Sequence, residues 1–477
     1  MASIDRLSDL PDEILSHILS FLPIKTSVST STLAARWRFV WAYSPNIQIV
    51  DGSLSLHSIY DHSDILRIIL PQCEAHGLNT LRILGDIFFD CELERFLESA
   101  VACKMKTLEI TQTYDYCDLP HCVLTSQTLV DLKLSRFFIK MKNVTVCLPA
   151  LKRLHFTTVG LQDGSLENLI FGCPVLEEFT GFNCAEDVVS HSLSSSTMKR
   201  LVLKSGTFYN KLKIDIPALD YLLMPYDFPQ IFSVGPMDSL IGAHIFVRDD
   251  TLNVNGNLYS LVEFLGRFSN VKELSLCSWP RGRRKVRDLT PVDLNIEFHN
   301  LAKLTVEGDW RIISYFVEKA NKLEVLNVRQ YSEREMEETL QSPMVNSIMK
   351  LHNLIKLELR VDWWFLTYFL EKADKLKVLI IRNNVYRKQK RKRWLAAPLQ
   401  VPNCLSSHLK IVEIHELNGT EHELDMVRYL LKNAKVLERM ELHCLAESIG
   451  RISSFDRGSE KCEIVFNEYL ESDSDDD

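Results

Sequence analysis

The sequence predicts an α/β chain: a small three-helix module at the N-terminus, then a repeat solenoid, a curved parallel sheet backed by outer helices. Three observations carry this. An apolar stripe at helical spacing occupies the first two dozen residues. A short apolar phrase recurs through most of the remaining chain. Two stretches, Phe-Val-Glu-Lys-Ala-Asn-Lys-Leu-Glu-Val-Leu at 316–326 and Phe-Leu-Glu-Lys-Ala-Asp-Lys-Leu-Lys-Val-Leu at 369–379, are near-duplicates. A length of 477 residues is long for one compact domain and ordinary for a small domain plus a solenoid, and an apolar fraction of 46% supports a large core.

In the N-terminal module, Leu10, Ile14, Leu15, Ile18, Leu19 and Leu22 fall on one helical stripe. Ser8 or Asp9 suits the cap, Pro11 the first turn, and Asp12 and Glu13 the positive end of the helix dipole. Pro23 ends the helix. A second apolar run comes next with Val28 and Leu33, then Arg36-Trp37-Arg38 and Trp41. A module of ~40 residues rarely buries enough surface to fold alone. Each buried Leu or Ile contributes ~1.5–3 kcal/mol, so this stripe needs the rest of the chain or a partner.

From about residue 78 the phrase is apolar, two residues, apolar, one residue, apolar. Strong copies begin at Met105, Leu129, Leu151, Met198, Val271, Leu301, Leu323, Leu354, Leu376, Leu409 and Leu437, with weaker ones at Leu78, Leu176 and Leu219. Neighbouring strong copies lie mostly 22 to 33 residues apart, near a leucine-rich-repeat period. The final apolar–x–apolar reads as a short strand with two side chains inward and one outward. One repeat cannot cover its own leucines; stacking gives a parallel sheet with a continuous core. Segments 93–102, 261–268, 312–320, 366–373 and 425–434 read as outer helices.

The residue after each final apolar position is Glu307, Arg329, Arg360, Arg382 and His415 in successive repeats. Arg329, Arg360 and Arg382 are therefore expected to stack as a column on the exposed sheet face. Such a column either is a solvated edge neutralised by Glu307 and Glu358 or suits an acidic or phosphorylated segment, because Arg pairs bidentately with carboxylate and phosphate.

Other classes of function find little footing. No apolar stretch reaches the ~18 residues that span a bilayer. Acids and an arginine at residues 5, 6 and 9 interrupt any signal-peptide core. The nucleus, the cytoplasm or both are expected. Twelve cysteines include no Cys-x-x-Cys pair and read as reduced, small apolar groups. The spacing of His415-Glu416 and His422-Glu423 fits no common metal site. There is no Gly-x-Ser-x-Gly elbow, His-Glu-x-x-His helix or phosphate-cradling Gly-Lys-Ser/Thr loop. No catalytic residue, cofactor or metal is expected.

The net charge of −8 owes five acids to the tail at 471–477, where Ser472 and Ser474 sit among acids; this tail reads as disordered and solubilising. Two basic runs interrupt the repeats at 281–287 and 387–393, the second with six positive charges in seven residues. A solvated insertion or a nuclear-import signal explains it. Nucleic-acid binding is disfavoured because no aromatic stacking platform accompanies the run.

The segment with Leu10-Pro11-Asp12-Glu13-Ile14-Leu15, Ile18-Leu19, Phe21-Leu22-Pro23, Leu33, Arg36-Trp37-Arg38 and Trp41 resembles the F-box, with Ala34-Ala35 departing from the plant pattern. The run 403–414, then Gly419-Thr420-Glu421 and 430–440, resembles the FBD motif that closes plant F-box/leucine-rich-repeat proteins, and Phe171-Gly172-Cys173-Pro174 through Phe179 is similar to their repeat. The resemblance implies an F-box at 1–50, leucine-rich repeats at 51–397, FBD-type terminal repeats at 398–445, a C-terminal segment at 446–470 and the acidic tail. It implies a substrate receptor of a ubiquitin ligase: a Skp-type adaptor binds the F-box, cullin and RING protein join through the adaptor, and an unknown target protein binds the repeats. The expected adaptor interface and its supporting core are Leu10, Pro11, Ile14, Leu15, Ile18, Leu19, Leu22, Pro23, Leu33 and Trp37.

Overall fold

The computed structural model describes residues 7–50, 77–85, 90–113, 116–140, 144–162, 165–186, 191–206, 212–226, 233–235, 237–248, 264–279, 297–307, 317–329, 351–360, 366–382 and 400–468. The acidic tail, both basic runs and the starts of the predicted helices at 261–263 and 312–316 lie outside these residues. The chain forms two compact units, one of Met1–Pro225 and Pro229–Leu240, the other of Tyr226–Phe228 and Ile241–Asp477.

The first unit opens with helices α1 (Asp12–Leu19) and α2 (Ile24–Ser29). The expected third helix is instead three single tight turns, Thr30–Thr32, Ala35–Arg38 and Val40–Tyr43. The chemistry of 27–32 explains why. Thr30 Oγ1 donates back to the Ser27 carbonyl at 2.6 Å and Thr32 Oγ1 to that of Ser29 at 2.8 Å, which draws the backbone away from a continuous helix. Pro11, rather than Ser8 or Asp9, caps α1; its carbonyl accepts the amides of Ile14 and Leu15 at 3.0 and 3.1 Å.

A parallel ladder then runs in chain order: strands Asn46–Val50, Thr80–Leu84, Thr107–Thr111, Asp131–Ser135, Arg153–Thr157, Glu178–Glu186, Arg200–Gly206 and Tyr221–Tyr226. Leu81, Leu108, Leu132, Leu154, Phe179, Leu201 and Leu222 stand in register and are fully buried. A backbone hook repeats at each step. The carbonyl before one strand accepts two consecutive amides from the next repeat, as Lys106 does from Val130 and Asp131 at 2.8 and 3.0 Å. Both carbonyl lone pairs are thereby used, so the polar backbone is satisfied beside an apolar core.

The helix Asp90–Ala102 covers the predicted segment 93–102. Farther along, much of the outer layer is strand. Cys117–Asp118, Phe137–Lys140 and Gly160–Gln162 make a second parallel ladder that ends on Ala185 and Glu186, and His191–Ser194, Leu212–Asp215 and Ser233–Val234 make a third. Aromatic and β-branched residues such as Phe137 and Ile139, both fully buried, favour that choice.

The second unit repeats the plan with strands Gly242–Arg248, Glu273–Trp279, Lys303–Glu307, Val325–Arg329, Lys356–Arg360, Val378–Arg382, Ile411–Leu417, Arg439–Cys444 and Glu463–Glu468, all parallel. Helices Leu366–Lys372 and Glu421–Asn433 fall on two predicted outer segments. The second carries a capping box: Glu423 N–H donates to Thr420 Oγ1 at 3.4 Å, and Thr420 N–H donates to Glu423 Oε2 at 2.9 Å.

Candidate functional site

The apolar residues of α1 divide into two faces rather than one stripe. Leu15 and Leu19 are buried, while Ile14 is 46% exposed, Ile18 38% and Phe21, just beyond the helix, 73%. Ile14, Ile18 and Phe21 are spaced by four and three residues and share a helix side. Of the other predicted interface residues, Pro11, Pro23 and Leu33 are exposed, Leu10 and Leu22 half-buried, and Trp37 buried. Thus Leu15, Leu19 and Trp37 are core, and Pro11, Ile14, Ile18, Pro23 and Leu33 are available to a partner. Phe21, absent from the predicted interface, is more exposed than Leu33, Ile14 or Ile18 within it; its seven-residue offset from Ile14 is the signal that finds it. His17 packs edge-on against it, with ring centroids 5.0 Å apart.

Arg36 and Trp37 hold this helix in place. The Arg36 guanidinium donates to the carbonyls of Ser8 and Leu10 and pairs with Asp12 at 3.0 Å. The Trp37 indole donates to Ser8 Oγ at 2.9 Å. The Arg-Trp dipeptide therefore braces the start of α1, and its contribution to an apolar interface is indirect.

In the second unit, the residues after the final inward positions form a row across the exposed face. Glu307, Arg329 and Arg360 are directly opposite in register, and Arg382 is opposite His415. The three arginines are not equivalent. Arg382 Nε donates to Glu358 Oε1 at 2.9 Å, one step back along the neighbouring strand. Arg329 and Arg360 are exposed, and neither has an ion-pair partner among the described residues. His415 stacks on His443 with centroids 4.3 Å apart and planes at 20°, where a bulge between Ile414 and Leu417 re-aims the strand. Burial first, then Arg382 and His443, holds the His415 imidazole below its ordinary pKa. Arg439, hydrogen-bonded to Glu441 at 2.9 Å, holds that carboxyl low.

Toward the other ends of these strands, Lys322, Glu324, Asn353, Lys375, Lys377 and His408 line an open cavity of about 440 Å³. Lys322 and Lys375 donate to Asn300 and Asn353 at 3.2 and 3.4 Å. Burial raises the thiol pKa of Cys122, Cys184 and Cys277 to about 11 and of Cys173 and Cys404 to about 12, so these sulfurs stay protonated and poorly nucleophilic. Among the described residues no cluster of three His, Cys, Asp or Glu side chains could hold a metal ion, and no helix is long and apolar enough to cross a membrane.

Known families match three separate stretches of the chain. The F-box domain matches residues 7–48, the repeats described as "FBD-associated F-box protein At5g56370, LRR repeats" match 93–233, and FBD matches 397–442. Among relatives from Arabidopsis thaliana, F-box/FBD/LRR-repeat protein At1g78750 is 27% identical over 507 residues, covering 97% of this chain and 96% of the relative. F-box/FBD/LRR-repeat protein At4g26340 is 28% identical over 464 residues, covering 94% of each. FBD-associated F-box protein At5g22730 is 26% identical over 501 residues, covering 98% and 95%. With a helical F-box ahead of parallel repeat strands and an FBD segment behind them, the chain belongs to the F-box/FBD/LRR-repeat protein family.

Proposed function

We propose that the chain is the substrate-recognition subunit of a Skp–cullin–F-box ubiquitin ligase. The observation that supports this best is the exposed side of α1, where Ile14, Ile18 and Phe21 lie open to solvent on a helix whose other side is sealed. A helix with a free apolar side docks in a partner's groove, and each side chain buried there contributes ~1.5–3 kcal/mol before association costs. In this reading the partner is a Skp-type adaptor. Pro11, Pro23 and Leu33, with half-buried Leu10 and Leu22, extend the contact, while Leu15, Leu19 and Trp37 support it from within.

The adaptor joins cullin and the RING protein, and residues 51–397 with the FBD-type repeats at 398–445 capture the target. The chain supplies proximity and orientation for ubiquitin transfer and performs no chemistry itself. It acts in the nucleus or cytoplasm.

The test is co-elution of the full chain with a purified Skp-type adaptor and then with cullin. The double variant Ile14→Asp/Ile18→Asp should lose the adaptor with a melting temperature lowered by only a few degrees, because the two side chains are already 46% and 38% exposed. Retained adaptor binding would refute the docking face. Adaptor binding with no cullin would leave a binding scaffold in place of a ligase receptor.

A further inference from the structure

We infer that the cavity at the strand starts of the second unit binds a small sugar phosphate, with the phosphate held by Lys375, Lys377 and His408 and the hydroxyl groups by Glu324. The site stands apart from the receptor reading above and from the exposed sheet face. Its lining follows four successive repeats: Lys322 and Glu324, then Asn353 and Ile355, then Lys375 and Lys377, then His408. The backbone hooks fix this order. The Glu324 carbonyl accepts the Ile355 and Lys356 amides at 2.8 and 3.0 Å, and the Ile355 carbonyl accepts those of Lys377 and Val378 at 2.9 and 3.0 Å. A volume of about 440 Å³ suits a small molecule.

One end of the cavity is cationic without a counter-ion. Three other lysines of the hook row are neutralised: Lys152 and Lys199 flank Glu177 at 3.1 and 3.6 Å, and Lys410 pairs with Glu438 at 2.6 Å. Lys377 stands in that row between Ile355 and Lys410 and has no ion-pair partner among the described residues. Lys375, from the same repeat, donates to Asn353 Oδ1 at 3.4 Å, which aims its ammonium and leaves two N–H groups for another acceptor. Its chain neighbour Asp374 is engaged by His352 at 3.6 Å. His408 Nδ1 is buried without a hydrogen-bond partner, so the neutral ring keeps its proton on Nε2 and offers that N–H to the cavity. Two ammonium groups and an imidazole N–H together suit a dianionic phosphate monoester.

The other end has the opposite preference. Glu324 is exposed in the wall two repeats before Lys377, and Lys322 beside it is turned toward Asn300 Oδ1 at 3.2 Å. A carboxylate there repels a second phosphate and accepts hydroxyl hydrogens. Ile355, 36% exposed between the two ends, presents an apolar surface to a C–H face. The cavity therefore asks for one phosphate at one end of a molecule and hydroxyl groups at the other.

The test is isothermal titration calorimetry of the full chain with glucose 6-phosphate, with glucose and inorganic phosphate as comparators. Glucose 6-phosphate should bind at least about tenfold tighter than either comparator. Lys375→Gln/Lys377→Gln should weaken it by about tenfold or more, whereas Lys152→Gln/Lys199→Gln, an equal loss of charge in the same row, should stay within about twofold. Glu324→Gln should weaken glucose 6-phosphate by about threefold or more and leave inorganic phosphate equal or tighter, a split that a general cationic field does not produce. All five side chains are exposed, so the variants should keep the fold of the unaltered chain.

No detectable binding of glucose 6-phosphate, equally tight binding of inorganic phosphate, or equal losses in the two lysine double variants would overturn the site. Equal effects of Glu324→Gln on both ligands would overturn the hydroxyl end. A glycine–serine peptide bearing one phosphoserine that binds as tightly as glucose 6-phosphate would replace the small ligand with a protein segment.

Discussion

The Trp37 indole donates to the Ser8 hydroxyl at 2.9 Å, across 29 positions of sequence. With the Arg36 bonds to the Ser8 and Leu10 carbonyls, it fixes the start of α1 from the far end of the same module. A part-buried hydrogen bond of this kind contributes about 1 kcal/mol net. Ser8→Ala and Trp37→Phe should each lower unfolding stability by roughly that amount, and the double variant by less than the sum. Trp37→Ala should cost about 3–5 kcal/mol, because a large buried side chain is removed. Urea denaturation monitored by circular dichroism measures all four; strictly additive losses would deny the Ser8–Trp37 coupling.

The two sides of α1 predict opposite phenotypes from neighbouring positions. Leu15→Ala and Leu19→Ala remove fully packed side chains and should cost about 2–5 kcal/mol each. Ile14→Ala and Ile18→Ala should stay within about 1 kcal/mol in the isolated chain, yet weaken adaptor binding by about tenfold or more together. Thermal melts paired with calorimetric titration of the adaptor separate these effects. Equal destabilisation at Ile14 and Leu15 would mean that α1 is covered on both sides.

The apolar phrase made most of the ladder legible, since each strong copy ends in a strand and its inward residues are buried. What escaped it has identifiable causes. In the strand Gly242–Arg248 the inward place of a leucine is taken by Ala243, too small to register as part of the phrase. The short outer strands, such as Gly160–Gln162, are too brief for any period to show. Strand Asn46–Val50 buries only Ile47 and Ile49 and comes directly after the helical module, yet it pairs with Thr80–Leu84. The divergence of Ile14 from Leu15 was invisible because a wide apolar stripe does not say which edge is covered. The Arg382–Glu358 pair was equally hidden, because it runs diagonally between strands and a column read from single repeats omits diagonals.

Acid should loosen the sheet through two histidines. Burial foremost, then Lys133, lowers the His155 pKa below 6.5; Asp131, Glu178 and Arg153 also face it. Burial, then Arg382 and His443, lowers that of His415, with Glu413 opposing. A base whose folded pKa is depressed contributes stability that is fully present above its unfolded value and is lost as pH falls through that value toward the folded one. The melting temperature should therefore hold near pH 8 to 7 and decline below about 6.5, and His155→Asn/His415→Gln should flatten part of that decline. Scanning fluorimetry across pH reads this directly; identical pH profiles for the two chains would remove these imidazoles as the cause.

Two glycines test close packing with opposite signs. A Cβ built on Gly172 would meet Val146 Cβ and Cγ1 at 2.6 Å and the Val146 carbonyl oxygen at 2.7 Å, while the Gly172 carbonyl accepts the Leu148 amide at 2.9 Å. Neither neighbour can yield cheaply: one is backbone, the other a β-branched side chain stiff at χ1. Gly172→Ala should therefore cost about 1–3 kcal/mol by overpacking. Gly450 lies inside the helix Ala446–Ser453 with nothing within 4 Å of a built Cβ. There the methyl group adds no clash and removes glycine's excess backbone entropy, so Gly450→Ala should stabilise the chain by about 0.5–1 kcal/mol. Denaturant midpoints moving in opposite directions would confirm that Gly172 is required by the approach of Val146, whereas a neutral Gly172→Ala would show that the repeats can spread at this step without loss.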